Sequence, residues 1–274
     1  MRKALILLLL ISVLHAEFMI DRVDVGISDI KDDGSAKVHE SIKFVMFGNY
    51  SSSLYDSGIS SNELSFWSTN TGLKDVKFHV NTLDVDIRDL RVRPQPRTKC
   101  NPIQGICHGE VILDYRAYPA YIDNESMDPV PGTGLFTVDK YKPRTRRYTI
   151  NPASLSFTTT PEGNIILDDK NFLTIQLPAG SQTLDINPQP ADSAIVLPAI
   201  VDSLSWTDIV LVKFSLIFEV EDGIDKEVSD FFGSIFRGVG KIIGGPQGPA
   251  LLALMAVLIG SSIYILMAKR RGEE

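Results

Sequence analysis

Val23-Asp-Val-Gly-Ile-Ser-Asp-Ile-Lys-Asp-Asp-Gly-Ser-Ala-Lys-Val-His-Glu-Ser-Ile-Lys-Phe-Val-Met46 is the stretch whose reading decides the fold class. Val23, Val25 and Ile27 share one face of an extended chain, and Val38, Ile42, Phe44 and Met46 share another. A repeat of two is the signature of a half-buried strand. Between the two runs stands Lys31-Asp-Asp-Gly-Ser35, rich in residues that accept tight-turn backbone angles. The spacing predicts an antiparallel hairpin. His39 alternates with the apolar set and is expected in solvent, as is His79 between Phe78 and Val80.

The same alternation continues outward from this hairpin. Strands are predicted at Val76–Val80, at Leu83-Val85-Ile87 and at Val111-Leu113-Tyr115, with a one-residue slip toward Leu90 and Val92 of the kind a β-bulge causes. Further strands are predicted at Leu135–Val138, Arg147–Ile150, Leu155–Phe157, Ile165–Leu167, Leu173–Leu177, Leu184–Ile186, Ile195–Leu197, Leu204–Trp206 and Val210–Val220. No helical period of useful length occurs before residue 225. The expected class is all-β, as two β-sandwich domains of immunoglobulin-domain size over residues 17–118 and 135–224. The Pro- and Gly-rich residues 119–134 read as the linker or long loop between them.

The chain ends carry a different signal. Residues 1–16 read as an export signal: Ala4 to Leu14 is too short to cross a bilayer, and it lies between Arg2-Lys3 and the small residue Ala16. Residues 250–267 are 18 residues without a charge, about 27 Å as a helix, followed by Lys269, Arg270 and Arg271. That order predicts one transmembrane helix flanked by a cytoplasmic basic cluster, with 268–274 as a short cytoplasmic tail. Residues 225–244 place Phe231, Phe232, Ile235, Phe236, Val239, Ile242 and Ile243 on one helical face. An amphipathic juxtamembrane helix is expected there, lying in the headgroup region. The bulk of the chain is therefore expected outside the cytoplasm on a single-pass, type I anchor.

Cys100 and Cys107 are the only cysteines, and in an oxidising exterior they are expected to close a disulfide around a hairpin tip. Asn49-Tyr-Ser51 and Asn124-Glu-Ser126 match the N-glycosylation acceptor pattern. The net charge of -7 is uneven: the middle of the chain is basic and both flanks are acidic. Arg88, Arg91, Arg93, Arg97 and Lys99, with Lys140, Lys142, Arg144, Arg146 and Arg147, are the candidates for an anionic-partner patch. Envelope polymer, lipid headgroups and an acidic protein are the ligands weighed for it, beside the reading that these cations serve the chain's own carboxylates.

No nucleophile–base motif, zinc-protease helix motif or phosphate-cradling glycine loop is present. No catalytic residue, metal ligand or cofactor is assigned, and no nucleic-acid partner is expected outside the cytoplasm. The acidic groups at Asp84, Asp86 and Asp89 and at Glu219, Glu221 and Asp222 read as solvated strand faces.

Asp33-Gly34-Ser35-Ala-x-Val38-x-Glu40-x-Ile42-x-Phe44, then Phe47-Gly48-x-Tyr50, resembles the opening of a family of prokaryotic membrane proteins whose exported β-domain starts with a strand, a DGS-type turn and a V-x-E-x-I strand. The likeness covers Ile20 to Tyr50; after it this chain continues Leu54-Tyr55-Asp56 where that family tends to carry an arginine. The resemblance implies a bacterial or, more in keeping, archaeal surface protein and transfers no site residue. The expectation is a non-enzymatic cell-surface protein that binds or scaffolds through its ectodomain, in contact with membrane lipid and another envelope or membrane protein. The alternatives are an accessory subunit of an export or envelope-assembly complex, and an extracytoplasmic hydrolase with dispersed site residues.

Overall fold

The computed structural model describes residues 16–120, 130–142, 144–191 and 195–221. The predicted export signal, juxtamembrane helix, transmembrane helix, basic flank and Asn124 lie outside the described residues, apart from Ala16. Among the described residues no helix is long and apolar enough to cross a membrane.

The chain is mostly β, as the alternation requires. β1 (Glu17–Ser28) and β2 (Ala36–Phe47) pair antiparallel with Val23 opposite Ile42 and Ile27 opposite Val38. Gly34 closes the turn between them with φ +80°, and a Cβ there would stand 2.4 Å from the Phe136 carbonyl oxygen. Only glycine has both the conformation and the missing atom. The Asp33 carboxylate accepts the Ser35 N–H and completes the turn.

Two short helices follow, α1 (Gly48–Gly58) and α2 (Leu64–Thr71). Then β3 (Val85–Asn101) and β4 (Ile106–Pro119) form a long hairpin, β5 (Phe136–Lys142) and β6 (Thr145–Ile150) a shorter one. A 3-10 turn (Pro152–Ser154) leads into β7 (Thr158–Thr159), β8 (Ile165–Gln176), β9 (Gln182–Asn187), β10 (Ala199–Ile200), β11 (Ser203–Leu211) and β12 (Ser215–Glu221). One sheet runs β11-β8-β1-β2-β4-β3, with β7 beside β8; the other runs β10-β9-β12-β6-β5. Buried side chains of both sheets, among them Ile27, Phe44, Leu113, Phe136, Phe218 and Trp206, belong to one core.

The two-sandwich division at 17–118 and 135–224 does not survive this topology. β1 pairs in parallel with β8, Val23 opposite Asn171 and Ile27 opposite Ile175, so strands from both expected domains alternate within one sheet. Alternation reports which face of a strand is buried and is silent about its neighbour. The described residues at either end of 119–134 belong to one body, so the linker reading falls and the long-loop alternative stands: Val130 N–H bonds the Ala120 carbonyl, and Gly134 N–H bonds the Asp84 carbonyl.

Several local expectations also change, and the strands predicted at Leu155–Phe157 and Ile195–Leu197 are absent apart from a single bridge at Leu155. Residues 76–80 make an isolated bridge, Val80 to Leu155, in place of a strand. The run Val210–Val220 breaks at Lys213, which has φ +48°, so β11 and β12 go to different sheets. The helices escaped the periodic reading because their inward faces are small or polar: Ser51, Ser52, Tyr55 and Gly58 on α1, Trp67 and Thr71 on α2. Tyr55 enters the core above Gly109, where a Cβ would stand 2.7 Å from its ring, and donates to the Gln95 carbonyl. The predicted bulge is present, between Arg88 and Arg91.

Among the described residues the core holds one carboxylate. Glu40 occupies the inward row of β2 between Val38 and Ile42 and is wholly buried. It accepts the His79 backbone N–H at 3.1 Å, a bond with His79 Nδ1 at 2.8 Å and the Tyr115 hydroxyl. His79 is therefore buried, against the expectation of a solvent position, because Glu40 offers an acceptor that an apolar neighbour would not. Its ring also lies 5.2 Å from that of Phe157. Burial, and then the Glu40 charge, hold the Tyr115 phenol far above its usual range, so it stays a donor.

Replacing Glu40 by leucine strands three buried donors, and the expected loss is about 3–5 kcal/mol in urea unfolding. Glu40→Gln keeps an acceptor and loses less; equal losses contradict the hydrogen-bond account. Gly34→Ala is expected to cost about 1–3 kcal/mol from the left-handed φ, with the steric contact in addition; an unchanged midpoint removes that reading of the turn.

Candidate outer-face anion site

β2, β3 and β4 alternate like any strands, so the residues between the core positions face outward. Lys37 and His39 on β2, and Asp114 and Arg116 on β4, occupy that row. The register sets Lys37 opposite Arg116 and Arg116 opposite Arg88; His39 stands opposite Asp114 and Asp114 opposite Arg91. Arg93 is one row further on, opposite Ile112. Arg88 and Arg91 are three residues apart and would leave a regular strand on opposite faces. The bulge inserts one residue, with Asp89 at φ 57°, and returns Arg91 to the same face.

A groove of about 590 Å³ opens on this face, lined by Lys37, Asp89, Arg91, Arg93, Asp114 and Arg116, with Tyr115 beneath. Its charges are not equivalent. Asp114 is held by His39 Nδ1 at 2.8 Å and by an Arg93 guanidinium nitrogen. Arg116 reaches Asp29, which Lys31 also contacts at 2.6 Å. Among the described residues, neither Lys37 nor Arg91 has a carboxylate within ion-pair distance. The four cations face two carboxylates, a surplus of two positive charges.

The ten cations predicted as one patch do not come together. Arg88, Arg91, Arg93, Arg97 and Lys99 lie on β3, an edge of the first sheet; Lys140, Lys142, Arg144, Arg146 and Arg147 lie on or beside β5 and β6 in the second. Six of the ten meet the chain's own carboxylates: Arg88 with Asp86, Arg93 with Asp114, Arg97 with Asp56, Arg144 with Glu221, Arg146 with Asp32 and Arg147 with Glu219. Lys99 is exposed at φ 47°, Lys140 is exposed, and the Lys142 ammonium lies 5.1 Å from the Tyr141 ring centre. The reading of self-complementation holds for these pairs. Lys37, His39 and Arg116 were missed; their outward phase was visible, but their common row depends on register.

Cys100 and Cys107 form the expected disulfide at the β3–β4 tip. Asn101 Oδ1 accepts the N–H groups of Ile103 and Gln104, and Gly48 N–H bonds the Gly105 carbonyl. Asn49 is exposed in the first turn of α1. The Glu40–His79 pair, an acid and a base in contact, is closed inside the core, where no substrate meets it.

Burial raises the Asp114 carboxyl pKa, but the hydrogen bonds and charges of His39 and Arg93 outweigh it and leave the group below its ordinary range. A depressed carboxyl contributes stability above its unfolded pKa and loses it as pH falls through the folded one. Asp114→Asn is therefore expected to lie below the wild type in stability at neutral pH and to converge on it in urea unfolding below about pH 4. A constant offset across that range contradicts the ion-pair origin.

No family model matches the chain, and no curated protein matches it. Among solved structures, native leukotriene A4 hydrolase from Saccharomyces cerevisiae aligns at 9% identity and a TM-score of 0.30, over 74% of this chain and 28% of that one. The chain thus spans little more than a quarter of that protein's length. The acetylcholine-binding protein of Bulinus truncatus aligns at 10% identity and a TM-score of 0.20, over 76% of this chain and 87% of that one. Likenesses at these scores carry no argument about fold or function.

Proposed function

We propose that this chain is a single-pass, membrane-anchored cell-surface protein whose β-rich body, outside the cytoplasm, binds an anionic partner without catalysing a reaction. The observation that supports this reading most is the outer face of β2, β4 and β3, where five cations share three neighbouring rows around one held aspartate. A guanidinium and an ammonium that, among the described residues, meet no carboxylate are available to an outside anion. The disulfide accords with an oxidising location. The membrane anchor and export signal enter this proposal from their hydropathy and flanking charge alone. The partner sits on the envelope side, as a lipid headgroup, a surface polymer or a protein.

Full-length protein in nanodiscs of neutral lipid is expected to retain anionic polymer or anionic vesicles, less so as salt is raised. The double charge reversal Lys37→Glu with Arg91→Glu is expected to abolish retention; unchanged retention would sink the assignment of this face. On intact cells, added protease should reach the body. Protection until the cells are broken would overturn the outward topology.

A further inference from the structure

The groove's charge and shape define its ligand more closely than as anionic. We infer that it takes a phosphate monoester group, received by Lys37 and Arg91 with Arg116 beside them. The inference rests on the outer-face binding reading and specifies its chemistry.

Three features argue for phosphate over carboxylate. The lining holds two more positive than negative charges, and a phosphate monoester carries about -1.5 to -2 near neutral pH, whereas a carboxylate carries half of that. Guanidinium forks match tetrahedral oxyanions with paired N–H donors, and a lysine adds a point charge that needs no fixed direction. Asp89 and Asp114 share the lining. They repel a densely charged polyacid laid along the face, while a compact dianion can stand between the cations. The volume of about 590 Å³ leaves room for the organic remainder of an ester beside the phosphate.

Asp114 has a second role in this arrangement. It holds Arg93 and His39 for itself, so that Lys37 and Arg91 are the groups an incoming phosphate meets first. Its removal releases Arg93 and His39 to the groove and raises the surplus charge by one.

The test uses the full chain in phosphatidylcholine nanodiscs, titrated with inorganic phosphate, glycerol phosphate and polygalacturonate, and compared with discs containing phosphatidic acid, whose headgroup is a phosphate monoester. Glycerol phosphate is expected to bind, with Lys37→Ala and Arg91→Ala each weakening it about threefold to tenfold, as loss of one solvent-exposed hydrogen-bonded contact does. Asp114→Asn is expected to tighten it, a gain that misfolding cannot produce. Tighter association in the phosphatidic acid discs assigns the phosphate to a lipid headgroup; binding of the soluble ester with no such difference assigns it to a free or polymer-borne phosphate. Polygalacturonate binding through Lys37 and Arg91 with no response to any phosphate overturns this inference and leaves the broader reading standing. No binding of any probe overturns both, and phosphate binding indifferent to Lys37 and Arg91 overturns the site.

Discussion

A single buried carboxylate organises the interior. Glu40 lies in the apolar row of β2, where an ionisable group has no water to stabilise it. Its three donors come from sequence-distant places: the backbone and ring of His79 from the segment before β3, and the hydroxyl of Tyr115 from β4. Burial of this group is tolerated only while all three are present, so the segment around His79 must dock on the sheet. That docking continues into residues 154–156, through Ser156 N–H to the His79 carbonyl and Asn81 N–H to the Ser154 carbonyl. A polar contact in the core thus selects one arrangement of chain segments where apolar packing alone would accept several.

The same strands carry the outer groove on their other face. Along β2, His39 points out and Glu40 in; along β4, Asp114 and Arg116 point out and Tyr115 in. The side chains of the groove therefore sit on the backbone that the core contacts hold rigid, which is where a binding constellation keeps its geometry. β3 completes the face as an edge strand, and its arginines also blunt an edge that could otherwise pair with another chain. The disulfide and the Arg97–Asp56 ion pair tie the far end of that hairpin to itself and to α1.

Much of the strand content was legible because alternation is a local consequence of half burial. Val23 to Ile27, Val38 to Met46 and Val111 to Tyr115 lie in strands with their apolar residues inward, as read. The bulge near Arg88 was legible for the same reason, as a phase slip. α1 and α2 were not, since Ser51, Ser52 and Thr71 fill inward positions that a hydropathy pattern scores as exposed. His79 was misplaced because its burial depends on Glu40, 39 positions away. The cations of β3 were visible as candidates in the sequence, whereas Lys37 and Arg116 join them only through register.

The amino-acid order by itself determined the class, the inward and outward phases of the strands and the covalent link of the only two cysteines. These follow from steric and solvent preferences acting over a few residues. Tertiary structure alone decided that β1 lies between β2 and β8, that the expected two bodies are one core, and that Glu40 meets His79 and Tyr115. It also decided which of eleven basic residues in the middle of the chain face a common groove and which are neutralised by carboxylates from other strands. Partner choice is set by the free energy of closing long loops against the burial and hydrogen bonding gained, a balance over the whole chain that no short window contains.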